Sequence, residues 1–271
     1  MAGAQGQLLP PPPLDKVAQV DDISARIFLC NRLLLPLLGP GTCTRRSLTP
    51  PFRVCGLPLD EGHHAQRCAF TLGVRTAARH NPMVRELQRF CLGAGRTILV
   101  EQRAPVMGDS ARLDLVQLPG PYGGRAFFDV SVVHAISLTP SILRNNSAEP
   151  GCAASRRYGE KLVHYNSRVA GTHFVPLIWE TGGRSHPAVR NLLTQLAKET
   201  ALTKPHLPSS IAAPLLHRWL ARLSATLIRG NAAAHLRLTP HLDRTLSQRS
   251  HPIPLPSSEC GGACLFEALV S

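Results

Sequence analysis

Asp114 and Asp129 stand in two apolar segments, Arg112-Leu113-Asp114-Leu115-Val116-Gln117-Leu118 and Arg125-Ala126-Phe127-Phe128-Asp129-Val130-Ser131-Val132-Val133. Pro119-Gly120-Pro121-Tyr122-Gly123-Gly124 joins them, a run dense in turn residues that predicts an antiparallel hairpin. If Leu118 pairs with Arg125, the same register carries Asp114 opposite Asp129. Side chains so placed have Cβ atoms about 4.5–5.5 Å apart, where two carboxylates repel. A divalent cation between them offsets that repulsion, and hard carboxylate oxygens suit magnesium or manganese. Asp129 lies among almost wholly apolar neighbours, and an acid in such a run is costly unless paired or metal-bound. Glu101 precedes the pair and Lys161 follows it. A metal-dependent nuclease needs this combination: carboxylates (Glu101, Asp114, Asp129) for the cation, and an amine (Lys161) to orient or deprotonate water and offset phosphate charge. Tyr165 shares a helix face with Lys161 at i, i+4.

These residues need rigid elements to position them. A helix is predicted over 82–93, with Pro82 in its first turn and Gly93 and Gly95 ending it. Thr97–Glu101 reads as a strand, followed by the hairpin; 137–155 reads as a polar loop, and 156–170 as the helix that carries Lys161 and Tyr165. Phe174–Glu180 is the next strand, with Pro176 favouring a sheet edge or a bulge. Helices are predicted at 186–200 and 212–229. The expected fold class is α/β, a mixed central β-sheet flanked by helices, with a Cys/His loop region before it and a disordered tail after it. The expected divisions are a flexible leader over 1–20, a helix and Cys/His region over 21–77, the α/β domain over 78–200, a helical region over 201–238 and the tail over 239–271.

The chain has 271 residues and a formal net charge of +13, which points to a polyanionic partner, DNA first, with RNA as an alternative and an anionic membrane surface second. Only Lys16, Lys161, Lys198 and Lys204 are lysines; the rest of the basic charge is arginine, whose forked guanidinium matches phosphate oxygens. No apolar run approaches the roughly 20 residues that a membrane span needs. Eight cysteines without a secretory leader predict a reduced, intracellular protein. The expected partner is nucleic acid, with no membrane and no small-molecule substrate.

Five features in order resemble the restriction-enzyme-like endonuclease domain of site-specific non-LTR retrotransposons, a branch of the PD-(D/E)XK nucleases. They are a Cys/His segment, Arg79-His80-Asn81, Glu101, Asp114 with fourteen residues before Asp129, and Lys161-Leu162-Val163-His164-Tyr165. The resemblance spans roughly 53–235, including Leu223-Ser224-Ala225-Thr226-Leu227-Ile228-Arg229-Gly230-Asn231. It implies a restriction-endonuclease-like core, magnesium-dependent nicking of DNA in the nucleus by Glu101, Asp114, Asp129, Lys161 and Tyr165, and DNA contacts from Arg79, His80 and Asn81. Leu113 replaces the family's proline, and Ser131 stands where many fold members carry lysine, so the amine must come from Lys161. No polymerase residues precede the domain, which reads as the isolated end of a larger element.

The same resemblance aligns Cys55, His64 and Cys68 with the second half of a CCHC zinc knuckle, His63 being an alternative to His64. Four ligands are needed for structural zinc, and Phe52 and Arg53 stand where the partner of Cys55 should be. Cys43 can supply the fourth only if the intervening loop folds back. Two readings stay open: a zinc site through Cys55, His64 and Cys68, and, slightly favoured, a decayed knuckle that no longer binds metal.

Overall fold

The computed structural model describes residues 16–32, 42–45, 54–59, 63–103, 112–119, 124–137, 139–166, 173–203 and 209–238. The expected tail and most of the expected leader lie outside them, as does the centre of the hairpin turn.

Four strands, β1 (Ile98–Arg103), β2 (Arg112–Gln117), β3 (Ala126–Val133) and β4 (His173–Glu180), form one sheet in the order β1-β2-β3-β4. The first three are antiparallel neighbours, and β4 runs parallel to β3. The chain is α/β, with a mixed sheet flanked by helices. Leu115 faces Phe128 and Gln117 faces Ala126, and the paired residues of this ladder end one step short of Asp114 and Asp129. Pro176 pairs with Asp129 from an edge strand, where its missing N–H faces away from the ladder.

Eight α-helices are present among the described residues: α1 (Asp22–Arg32), α2 (His64–Arg67), α3 (Leu72–Arg75), α4 (Asn81–Gly93), α5 (Pro140–Ala148), α6 (Cys152–Asn166), α7 (Pro187–Thr203) and α8 (Ala212–Leu238). One face of the sheet, through Leu115, Phe128, Val130 and Leu177, packs against Met83 and Leu87 of α4, Leu193 and Leu196 of α7, and Leu223 and Leu227 of α8. Fully burying each such side chain is worth about 1.5–3 kcal/mol. On the opposite face Tyr165 of α6 packs on Leu113, Val116 and Phe127. A parallel β3–β4 pair needs a crossover, and α5 and α6 provide it, which brings Lys161 over the sheet.

Arg96, just before β1, clamps this assembly from inside. Its Nε and Nη2 each donate to Glu199 of α7 at 2.7 Å, and its Nη1 donates to Gln117 Oε1 at 2.8 Å. A buried guanidinium needs such bidentate pairing to offset its desolvation.

Three expectations are corrected. Residues 140–148 are helix rather than loop; Pro140 opens that helix, but none of its residues is buried, so no apolar stripe betrays it. The 39–75 region is not loop-like throughout, because it contains α2, α3 and a bridge between Thr42 and Pro58. Residues 16–18 form a 3-10 turn that touches α8 rather than part of a flexible leader. The helical region over 201–238 shares its core with the α/β unit, since Trp219, Leu223 and Leu227 pack with Phe90 and Leu193.

Candidate functional site: an acidic pair with a helix-borne lysine

The β2–β3 ladder ends at Leu115 and Phe128. Beyond it the Asp114 carboxylate takes over, accepting the Val130 N–H at 2.6 Å through Oδ2. Its other oxygen meets His80 Nε2 at 3.1 Å. Asp129, 5 % exposed, receives the Lys161 ammonium at 2.7 Å. Lys161 reaches it because α6 lies across the sheet with Tyr165 one turn further on. The Tyr165 ring is buried, and its centroid lies 5.5 Å from Lys161 Nζ, so the aromatic face backs the ammonium. Glu101 lies in β1, between Val100 and Gln102, which pair with Leu115 and Leu113; its side chain is outside those described.

The electrostatics tie the four charged groups together. Burial raises the Asp129 carboxyl pKa; Lys161 opposes that rise and the Asp114 charge adds to it. Burial disfavours a charged His80, but the hydrogen bond and charge of Asp114, with Asp129 behind it, outweigh burial and raise the imidazole above its usual value. Two acids, an ammonium and an imidazole thus share one half-buried polar island in an apolar sheet.

Arg79, His80 and Asn81 follow different directions. A π-helical turn over Thr76–His80 joins α3 to α4, and such turns recur at functional sites. It sends His80 to Asp114 and turns Arg79 inward. The Arg79 guanidinium donates to Gln66 Oε1 at 2.7 Å and Asn231 Oδ1 at 2.8 Å; burial, helped by Arg75, lowers its pKa to about 10. The expectation of Arg79 as a phosphate contact is therefore corrected: it is a structural clamp. Asn81 opens α4 half-buried. The role of His80 beside an acid, rather than at phosphate, is a pairing that no local spacing announces.

The cysteine–histidine segment also differs from its reading. Backbone bonds from Cys43 to Leu57, from Gly56 to Cys43 and from Cys55 to Arg45, at 2.8–3.0 Å, fold the loop back on itself. Gly56 makes that turn with φ of 66°, a conformation glycine adopts without strain. Cys43 thereby joins Cys55, His64 and Cys68, and the four ligand atoms lie within 4.8 Å of one another. Cys55 Sγ is 3.5 Å from His64 Nε2 and 3.7 Å from Cys68 Sγ. A tetrahedral zinc with bonds of 2.0–2.3 Å has ligand edges of about 3.5–3.8 Å. Burial raises the Cys68 thiol to about 12, and the neighbouring Cys55 and Cys43 add to the rise, a penalty that a bound cation reverses. The Cys3His cluster could hold a metal such as zinc, because Cys43 stands where the sequence reading lacked a fourth donor. His63 is not in the set, its ring lying 5.2 Å from that of His134.

No protein-family model matches the chain, and no curated protein or solved structure matches it.

Proposed function

We propose that the chain is a metal-dependent endonuclease domain that nicks DNA, akin to the restriction-enzyme-like domains of non-LTR retrotransposons. The observation that carries this reading is the meeting of Lys161, delivered by α6, with Asp129 at 2.7 Å, beside Asp114. Hard oxygens of Asp114 and Asp129, with Glu101 on the adjoining strand, suit magnesium or manganese. The Asp129 carboxyl is raised mainly by burial, with the Asp114 charge adding to it, and a cation would offset both. Bound there, such a cation supplies charge stabilisation to a phosphoryl oxygen and lowers the pKa of water. Lys161 holds a positive charge where a scissile phosphate gathers negative charge, and it can orient the attacking water. His80 holds the Asp114 carboxylate in place, and Tyr165 excludes water beneath the ammonium. The net charge of +13 favours a polyanionic substrate in a salt-dependent manner, and a nuclear location follows from a DNA substrate.

Nicking of supercoiled plasmid with magnesium or manganese tests the proposal. Asp114→Ala and Lys161→Ala should each lower the rate by about 10²-fold or more, with the variants' folding checked by circular dichroism. Equal activity in all three proteins sinks the nuclease reading. Salt-dependent DNA binding without nicking in any of them would mark the chain as a binding remnant.

A further inference from the structure

A cavity of about 750 Å³ opens at the end of the sheet where the parallel strands β3 and β4 finish. It falls within the roughly 300–1,000 Å³ of small-molecule and cofactor sites, and the ends of parallel strands are where α/β sheets place ligands. Phe28, Trp179, Leu220 and Leu223 give it an apolar wall. Arg184 and Arg190, both exposed, stand at its lining with no side-chain partner among the described residues. Arg32 also lines the space, so three arginines stand against two acids, Glu149 and Glu180, and Glu180 accepts the Ala154 N–H at 3.1 Å. His134 adds no charge, because burial pushes its pKa down to about 3. The first turn of α7, from Pro187 to Arg190, borders the space and adds the positive end of a helix dipole. An apolar slot with a cationic mouth matches a flat base joined to a phosphate.

The position of the cavity narrows the choice. Asp129 lies in the middle of β3 on the face that α6 covers, and His134 follows five residues on, just past the strand's end, roughly 17 Å at the strand rise; the cavity reaches the α6 side of the sheet at Gly151 and Ser155, at the start of that helix. A nucleic-acid strand crossing the acidic pair would reach the cavity within a few nucleotides. We propose that this cavity receives an unpaired nucleotide of the strand being cut, its base against Trp179 and Phe28 and its phosphate toward Arg184 and Arg190. The assignment rests on the nuclease reading for its choice of a strand, but not on catalysis.

Binding measured without added magnesium, by fluorescence anisotropy, keeps the two apart. The probes are a labelled duplex with one unpaired central nucleotide and the same duplex fully paired. The wild-type protein should prefer the unpaired form by about tenfold, the size of one stacking contact. Ser224→Trp, a change at an exposed lining position, should fill the cavity and erase the preference. Arg190→Glu should do the same, and both variants should bind the paired duplex within about twofold of wild type. No preference in the wild type, or a preference kept in both variants, overturns the proposal. Equal loss of paired-duplex binding also overturns it, since the arginine would then serve only a general polyanion surface. Displacement by a free mononucleotide as effectively as by the unpaired duplex overturns it in favour of a soluble nucleotide. Nicking failure with the preference intact would remove the nuclease reading and leave the cavity's ligand standing.

Discussion

His235 shows how much a single buried side chain can tie this fold to pH. It is fully buried in α8, and its Nε2 meets the amide nitrogen of Asn31 at 3.0 Å. An amide N–H only donates, so Nε2 must accept, and the ring is neutral. Burial, helped by the charge of His63, lowers its pKa to about 4, while His134 falls to about 3 mainly through burial. Both folded values lie below the ordinary 6.5, so between them and 6.5 the unfolded chain binds more protons. Their contribution is complete above about pH 6.5 and is lost as pH falls toward 4 and then 3. For His235 it is on the order of 3 kcal/mol. Urea denaturation at pH 7 and pH 4.5 checks this: the wild-type midpoint should drop steeply, and His235→Gln should be weaker at pH 7 but flatter across the range. Parallel pH profiles for the two proteins would refute the account.

At the scale of elements, the π turn at Thr76–His80 depends on one glycine. A Cβ on Gly230 of α8 would lie 2.6 Å from Arg79 Cα and 2.8 Å from Ala78 O, and closer still to Arg79 Cβ. Backbone atoms cannot move aside cheaply, so α8 touches the turn only because residue 230 lacks a side chain. Gly230→Ala should destabilise the protein by about 1–3 kcal/mol, despite alanine's better helix propensity; an unchanged or raised melting temperature would show that the contact carries no weight. This contact also explains what could be read in advance. The β2–β3 hairpin was legible because alternation and turn residues are local, and so was α4, with Pro82 near its start and Gly93 at its end. The π turn was not, since its extra residue is set by Gly230 and Asn231, some 150 positions away. Neither was α5, a polar helix with no buried face. Asp114, Asp129 and Lys161 could be singled out from residue type and order, whereas the inward turn of Arg79 and the arrival of Cys43 depend on tertiary contacts that no window of sequence contains.

Across the whole molecule, the Cys3His cluster and the acidic site are joined by a short chain of buried polar contacts. Cys55, His64 and Cys68 bracket α2, and Gln66 of α2 donates to the Asn231 carbonyl at 3.2 Å while accepting from Arg79. Arg75 donates to Cys68 O at 3.1 Å, and Asn231 donates onward to Thr181 O at 2.8 Å at the end of β4. His80, the partner of Asp114, is the next residue after Arg79. Zinc at the cluster would tie Cys43 and Cys55 to α2, which packs on α8, and so hold the turn that presents His80. Metal binding of this kind is folding free energy, so stripping zinc should lower the melting temperature by several degrees and expose Cys43, Cys55 and Cys68 to thiol reagents. Cys91, 1 % exposed in the sheet-facing core, should stay protected until global unfolding. Cys43→Ser separates a four-ligand centre from the three-ligand remnant: it should abolish stoichiometric zinc and reproduce the metal-free melting temperature. If zinc content and stability survive that substitution, the folded-back loop is not part of a metal site, and the link from the cluster to His80 fails with it.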